Sequence, residues 1–204
     1  MIEVFGWTAA AIGLAVGIPQ LIRILRSGTS AGVSLRLWQL NAATTVSWAV
    51  HGVLTDTPQM QVPNLIGAVV AVGIVLFVCR DRRQPFLAQL VLPLLVAVAL
   101  SSVDIFLGAV AFGLIVAVPQ LIGQFAQTRD LLFEPDLTGV SVVFLLVFCL
   151  IQTMWWIFGV VQLDWALIVC AGFMVISTTL NVGIYAVRGI RARRLDRLQV
   201  MRDR

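Results

Sequence analysis

The chain contains no lysine, one histidine and one tyrosine, and only 12% of its residues are charged. A soluble domain carries about 25% charged residues, so most of this surface is not built to face water. The single histidine, with no glycine-rich phosphate loop and no nucleophile–base spacing, leaves an enzyme without its parts. Cys79, Cys149 and Cys170 are too scattered for a zinc or redox site and read as packing residues. No metal or cofactor is expected. Met1-Ile2-Glu3 lacks the basic stretch that opens a secretory signal.

Apolar sequence fills the space that charge leaves. The composition is 60% hydrophobic and the mean hydropathy is +0.99. A spanning helix needs about 20 mainly apolar residues. Seven segments qualify as candidates: Val4–Ile24, Ser34–Leu54, Val62–Cys79, Phe86–Leu100, Val103–Phe125, Val140–Val161 and Trp165–Val187. Phe86–Leu100 is the shortest. Together they predict an all-α, multi-pass membrane protein with no soluble domain left over.

All 14 basic residues are arginine, and they alternate along the chain. Arg23, Arg26 and Arg36 flank the first connection. Arg80, Arg82 and Arg83 lie in the third, Arg129 in the fifth, and Arg188 to Arg204 follow the last span. The N-terminus and the even connections carry Glu3, Asp56, Asp104 and Asp164 instead. The positive-inside rule then places the N-terminus outside and the C-terminus in the cytoplasm, which requires an odd number of spans. The same rule explains the basic pI, and no base-stacking module is present, so nucleic acid is not an expected partner. The terminal arginines suit either a helix lying on anionic lipid or a solvated stop signal.

The chain also repeats itself. Gly13 to Ile22 reads GLAVGIPQLI and Gly113 to Ile122 reads GLIVAVPQLI, with seven identities in ten. Gly32-Val33-Ser34 recurs as Gly139-Val140-Ser141, and the same offset pairs Trp48 with Trp155 and Gly52 with Gly159. A fixed-period repeat governs architecture. Residues 1–80 and 103–188 form two three-helix repeats, residues 81–102 a linker helix, and residues 189–204 a basic cytoplasmic tail. The linker turns the second repeat parallel to the first, giving a 3+1+3 arrangement with the binding site at the interface of the halves.

Pro19-Gln20 and Pro119-Gln120 fall at the same place in each half. A proline inside a helix removes a backbone donor and clashes with the preceding turn. Its duplication in register points to paired hinges, with Gln20 and Gln120 placed to meet the freed carbonyls. Asn41, Thr45, Trp48 and Gly52 share one face of the second span, and polar side chains in such a helix face protein or water. Trp48 and Trp155, one from each half, would form a slot lined by two indoles. Gln152 and Asn64 add amides that suit a hydroxylated solute. Trp7, Trp38 and Trp165 lie near span ends and read as interfacial anchors. His51 and Asp56 at the outer ends are candidates for an outer gate; alternatively, His51 is a packed neutral histidine.

Paired Pro-Gln dipeptides, the span pattern and the stretch from Val62-Pro63-Asn64 to Gly67 resemble the PQ-loop superfamily, and within it the SWEET and SemiSWEET sugar facilitators. The resemblance implies an alternating-access uniporter in the plasma (inner) membrane, with the Pro-Gln motifs as hinges and a mono- or disaccharide as solute. It also implies an asparagine in each half, yet the positions matching Asn64 are Val169, Cys170, Ala171 or Gly172. The pocket is thus polar on one side only. Two other functions fit the same fold: a proton-coupled amino-acid carrier of cystinosin type, and a receptor or membrane organiser that binds without moving its ligand. The absence of lysine and the Ala/Val/Arg richness suggest a bacterial genome. Assembly into a homo-oligomer is left open.

Overall fold

The computed structural model of the chain describes the backbone of residues 1–134, 137 and 140–202, and the side chains of these except residues 16–20, 27 and 191–202. Gly139 of the recurring Gly-Val-Ser triplet and the side chains of Pro19 and Gln20 lie outside the described residues. The described residues form seven α-helices and no strand: α1 (Ile2–Ser27), α2 (Leu35–Leu54), α3 (Pro58–Asp81), α4 (Phe86–Leu107), α5 (Ala109–Phe133), α6 (Val142–Gln162) and α7 (Trp165–Arg202).

The repeat in sequence is a repeat in local structure. Ser34 accepts a hydrogen bond from Leu37 N and caps α2; Ser141 accepts from Phe144 N and caps α6. A serine in this position satisfies an amide that the first helical turn leaves without a partner. Other boundaries differ from the sequence reading. The third helix starts at Pro58, one turn before Val62, so Pro63 lies inside it. The fourth runs to Leu107 and the fifth begins at Ala109. Gly108 alone makes this turn, with φ 88 and ψ 170, a conformation open to glycine. Ser101, Ser102 and Asp104 are therefore helical.

Five helices are long and apolar enough to cross a membrane: α3, α4, α5, α6 and the Trp165–Ile190 part of α7. The chain is a multi-pass membrane protein. In α2 the polar residues Arg36, Gln39, Asn41, Thr44, Thr45, Ser47 and His51 dilute the apolar ones. The described apolar stretch of α1 is Ile2–Ala15.

The helices close into a ring. α3 packs between α1 and α2, and α7 packs in the same way between α5 and α6. α1 meets α6 on one side, and α4 bridges α2 and α5 on the other. Glycines set the tightest contacts. A Cβ on Gly52 would lie 2.6 Å from Gln61 N, where α2 approaches the start of α3. A Cβ on Gly159 would lie 2.6 Å from Leu167 Cβ and 3.2 Å from Ile168 N, where α6 approaches α7. The paired glycines therefore do the same work in both groups: each lets two backbones touch.

The basic end of the ring is held by arginine. Arg82 Nη2 donates to Ser30 O and Val33 O at 3.2 and 2.6 Å, and Asp81 accepts from Ser30 N at 2.8 Å. In the other group Arg188 Nη1 donates to Leu131 O and Glu134 O at 2.8 and 2.7 Å. Each thus ties the third helix of its group to the C-terminal end of the first helix or the loop that follows it.

Gly52→Ala and Gly159→Ala should each destabilise the fold by about 1–3 kcal/mol, the cost of forcing atoms into a packed contact. Gly73 has open space at its Cβ position, so Gly73→Ala should leave stability unchanged or slightly raised. Unfolding midpoints in detergent micelles check the contrast.

Candidate functional site

The ring surrounds a half-open cavity of ≈ 300 Å³. Its wall includes Asn41, Thr45, Trp48, Asn64, Gln152 and Trp155, with Gln120 of α5 and Gly67 of α3. The structure thus brings the six candidate binding residues from α2, α3 and α6 to one space. Trp48 and Trp155 are both half-buried and pack on the same core of Met60, Phe158 and Leu167. Several polar groups of the wall are already engaged. Asn64 Nδ2 donates to Met60 O at 2.8 Å, which holds the amide against its own helix and leaves Oδ1 as an acceptor. Thr45 Oγ1 donates to Asn41 O at 2.8 Å.

The wall differs between the two groups as the sequence indicated. From α7 the wall takes Leu167, Cys170 and Ala171, with no amide among them. Asn181 is fully buried away from the cavity, where its amide donates to Gln124 Oε1 at 3.0 Å and its oxygen accepts from Thr128 Oγ1 at 2.6 Å. Two readings need correction. Trp38, read as an interfacial anchor, turns its side chain to the cavity; Trp7 and Trp165 are exposed. Gln120 does not reach the carbonyl of Ile115, the one that Pro119 deprives of its donor. Its amide points to Val116 O at 3.5 Å and Cys170 Sγ at 3.7 Å, across to α7.

The expected outer pair of His51 and Asp56 is also replaced. His51 Nδ1 lies 2.7 Å from Asp104 Oδ2 and Nε2 lies 3.1 Å from Asp164 Oδ2. Asp56 sits in the α2–α3 turn with φ 51 and is exposed. The turn after α2 carries Asp56 away, whereas the end of α4 and the start of α7 deliver two carboxylates to the ring. All three side chains of the triad are at most 6% exposed. Phe112 of α5 stacks on the imidazole at 5.3 Å, and Trp48 meets it edge-on at 5.6 Å. The two carboxylates lie on opposite nitrogens of one imidazole and cannot converge on a single ion, so the cluster is not a metal site. The sequence did hold a signal for it: the only histidine and four of the acids lie at the same end of the spans.

Trp48 belongs to both features. It lines the cavity, touches His51, and packs on Phe112 at 4.9 Å. Leu167 does the same from α7: it lines the cavity, and its amide donates to Asp164 Oδ1 at 3.1 Å.

A ring of apolar helices around a small polar cavity, with a Pro-Gln step in α5, invites comparison with known proteins. Residues 1–59 match the family model of the PQ loop repeat. The match covers α1, α2 and the first residues of α3, 59 of the 204 residues. No curated protein matches the chain. The second Pro-Gln, Pro119-Gln120, lies beyond the matched stretch and stands in the group that packs in the same order as α1–α3.

Removing the imidazole should be costly. His51→Ala leaves two buried carboxylates without their shared partner, and breaking a buried ion pair costs about 3–5 kcal/mol. The triple variant His51→Ala/Asp104→Asn/Asp164→Asn, with no charge left to bury, should regain part of that loss. Chemical unfolding of both variants in micelles is the check.

Proposed function

We propose that the protein is a carrier that moves a small, neutral, hydroxylated solute, of monosaccharide size, across a membrane by alternating access. One observation carries this reading: two indoles and four uncharged polar side chains, drawn from α2, α3 and α6, share one cavity between two three-helix groups. Apolar plates with amide and hydroxyl edges complement a sugar, whose faces are C–H and whose edges are hydroxyls. Small-molecule pockets measure roughly 300–1,000 Å³. A cavity of ≈ 300 Å³ stands at the bottom of that range and favours a monosaccharide over a disaccharide.

In this proposal the chain spans a plasma (inner) membrane seven times as a 3+1+3 repeat, with α4 as linker. The arginine-rich connections face the cytoplasm, and the end bearing Asp56, Asp104 and Asp164 faces outward. Pro19-Gln20 and Pro119-Gln120 are paired hinges on which the groups rock around the cavity. The match to the PQ loop repeat supports a transporter or a related membrane function. A proton-coupled carrier is the second reading. The buried carboxylates of Asp104 and Asp164 favour it, since coupling needs ionisable groups inside the membrane.

Uptake into proteoliposomes of a panel of hexoses, polyols and amino acids decides between these. The first reading expects hexose uptake that is independent of an imposed pH gradient; uptake of an amino acid driven by that gradient supports the second. Saturable binding without flux would make the protein a receptor.

Three further outcomes follow from the residues. Asn64→Ala should raise the apparent binding constant of the transported solute by roughly 10–100-fold, because a buried polar contact costs about 1–3 kcal/mol to lose. Pro119→Ala restores a backbone donor and should preserve folding while lowering flux, with the Pro19→Ala/Pro119→Ala pair lowering it further. A reporter active only in the cytoplasm should work when fused after Arg204 and fail when inserted at Asp56.

A further inference from the structure

Two hydrogen bonds join the His51 imidazole to two carboxylates, and each needs one hydrogen. The triad therefore holds two protons in its closed geometry. They reside on an imidazolium between two carboxylates, or on a neutral imidazole and one carboxylic acid. Both distributions have a net charge of −1. With one proton fewer, a nitrogen lone pair faces a carboxylate lone pair and one bridge is lost. With one more, a carboxylate becomes an acid; both hydrogen bonds remain, but the one to that acid no longer joins opposite charges and weakens.

The two bridges are not equivalent in the fold. Asp104 is carried by α4, which packs on both α2 and α5 and joins α5 through Gly108, so its bridge ties α2 to the linker helix. Asp164 precedes α7 and belongs to the other three-helix group, whose first turn it also caps through Leu167 N. The Nε2–Asp164 bridge is the one that joins the two three-helix groups directly. Among the described residues the charged groups that face His51 are Asp104 from α4 and Asp164 from the start of α7. α5 presents Phe112 and α2 itself presents Trp48.

We propose that His51, Asp104 and Asp164 form a proton-binding latch that joins the two three-helix groups at their acidic end most firmly while it holds two protons. Losing a proton breaks one bridge and gaining one weakens a bridge, so either change favours separation of the groups at that end. Trp48 and Leu167 place the latch one side chain away from the cavity, so its opening unroofs that space. A part in transport rests on the carrier reading above; the proton-counted closure does not.

The test measures the seam directly and needs no solute. Spin labels are placed at Leu54→Cys and Gln162→Cys, both exposed positions flanking the seam, after Cys79, Cys149 and Cys170 are replaced by alanine. Distances are read by pulsed dipolar spectroscopy in lipid nanodiscs from about pH 4 to about pH 9, the range in which carboxylates and imidazoles titrate. The short-distance population should peak inside this range and fall about twofold or more toward one end or both. Asp164→Asn should abolish that dependence and keep the seam closed. An amide offers an acceptor to a protonated nitrogen and a donor to a bare one, and asparagine caps a helix as well as aspartate does. The triple variant His51→Gln/Asp104→Asn/Asp164→Asn, in which no member of the triad titrates, should likewise show one distance distribution at every pH.

A wild-type distance that does not change with pH overturns the latch. So does a wild-type pH profile that survives in Asp164→Asn or in the triple variant. If the profile holds while no solute in the panel is moved, the carrier reading fails and the latch stands. If flux is measured and the seam is insensitive to pH, the latch fails and the carrier reading stands.

Discussion

Hydrocarbon offers no hydrogen bond, so every polar side chain within the apolar helices must find its partner inside the protein. That constraint organises this molecule. The polar face of α2 turns inward, and its residues divide between two tasks. Asn41, Thr45 and Trp48 line the cavity, whereas Ser47 and His51 are buried against neighbouring helices. Gln39 is spent on α4, where its amide donates to Gln89 O at 2.6 Å. A helix too polar to be counted as a membrane span by its own hydropathy is thus the one that the ring is built around.

The cavity and the triad are consequences of the same packing. α3 and α7 wedge between their neighbours because Gly52 and Gly159 let backbones meet. That wedge brings Trp48 and Trp155 over a shared floor of Met60, Phe158 and Leu167. It also brings the start of α7 to the end of α2, so that Asp164 reaches His51. A movement that separates α2 from α7 therefore changes the cavity wall and the charge contact together. Binding at one and proton exchange at the other would be linked in the thermodynamic sense, each biasing the other's equilibrium.

Much of this is legible in the residues themselves. The repeat names the right partners: Trp48 and Trp155, Gly52 and Gly159, and the capping serines Ser34 and Ser141. Helical spacing places Asn41, Thr45 and Trp48 on one face, and that face is the cavity wall. What escapes are contacts that depend on where turns deliver side chains. A carboxylate that ends an apolar run reads as loop, yet Gly108 makes the turn and leaves Asp104 inside α4. Asp56 is near His51 in sequence, but the positive φ at Asp56 carries it away. Arg82 and Arg188 read as topological charges only, while each also ties down the chain at the basic end of its own group. Distance from the span end assigns Trp38 to the interface, but it does not say which way an indole points.

Counterflow tests the central claim most directly. Proteoliposomes are loaded with unlabelled hexose, and a trace of the same hexose, radiolabelled, is supplied outside. A carrier that exposes one cavity alternately to either side must accumulate the label transiently above its external concentration, because outward-moving solute returns the site with label bound. The account predicts that overshoot, reduced in proportion when Trp48 or Trp155 is replaced by alanine. Label that only equilibrates, or never enters in a panel that includes hexoses and polyols, contradicts it.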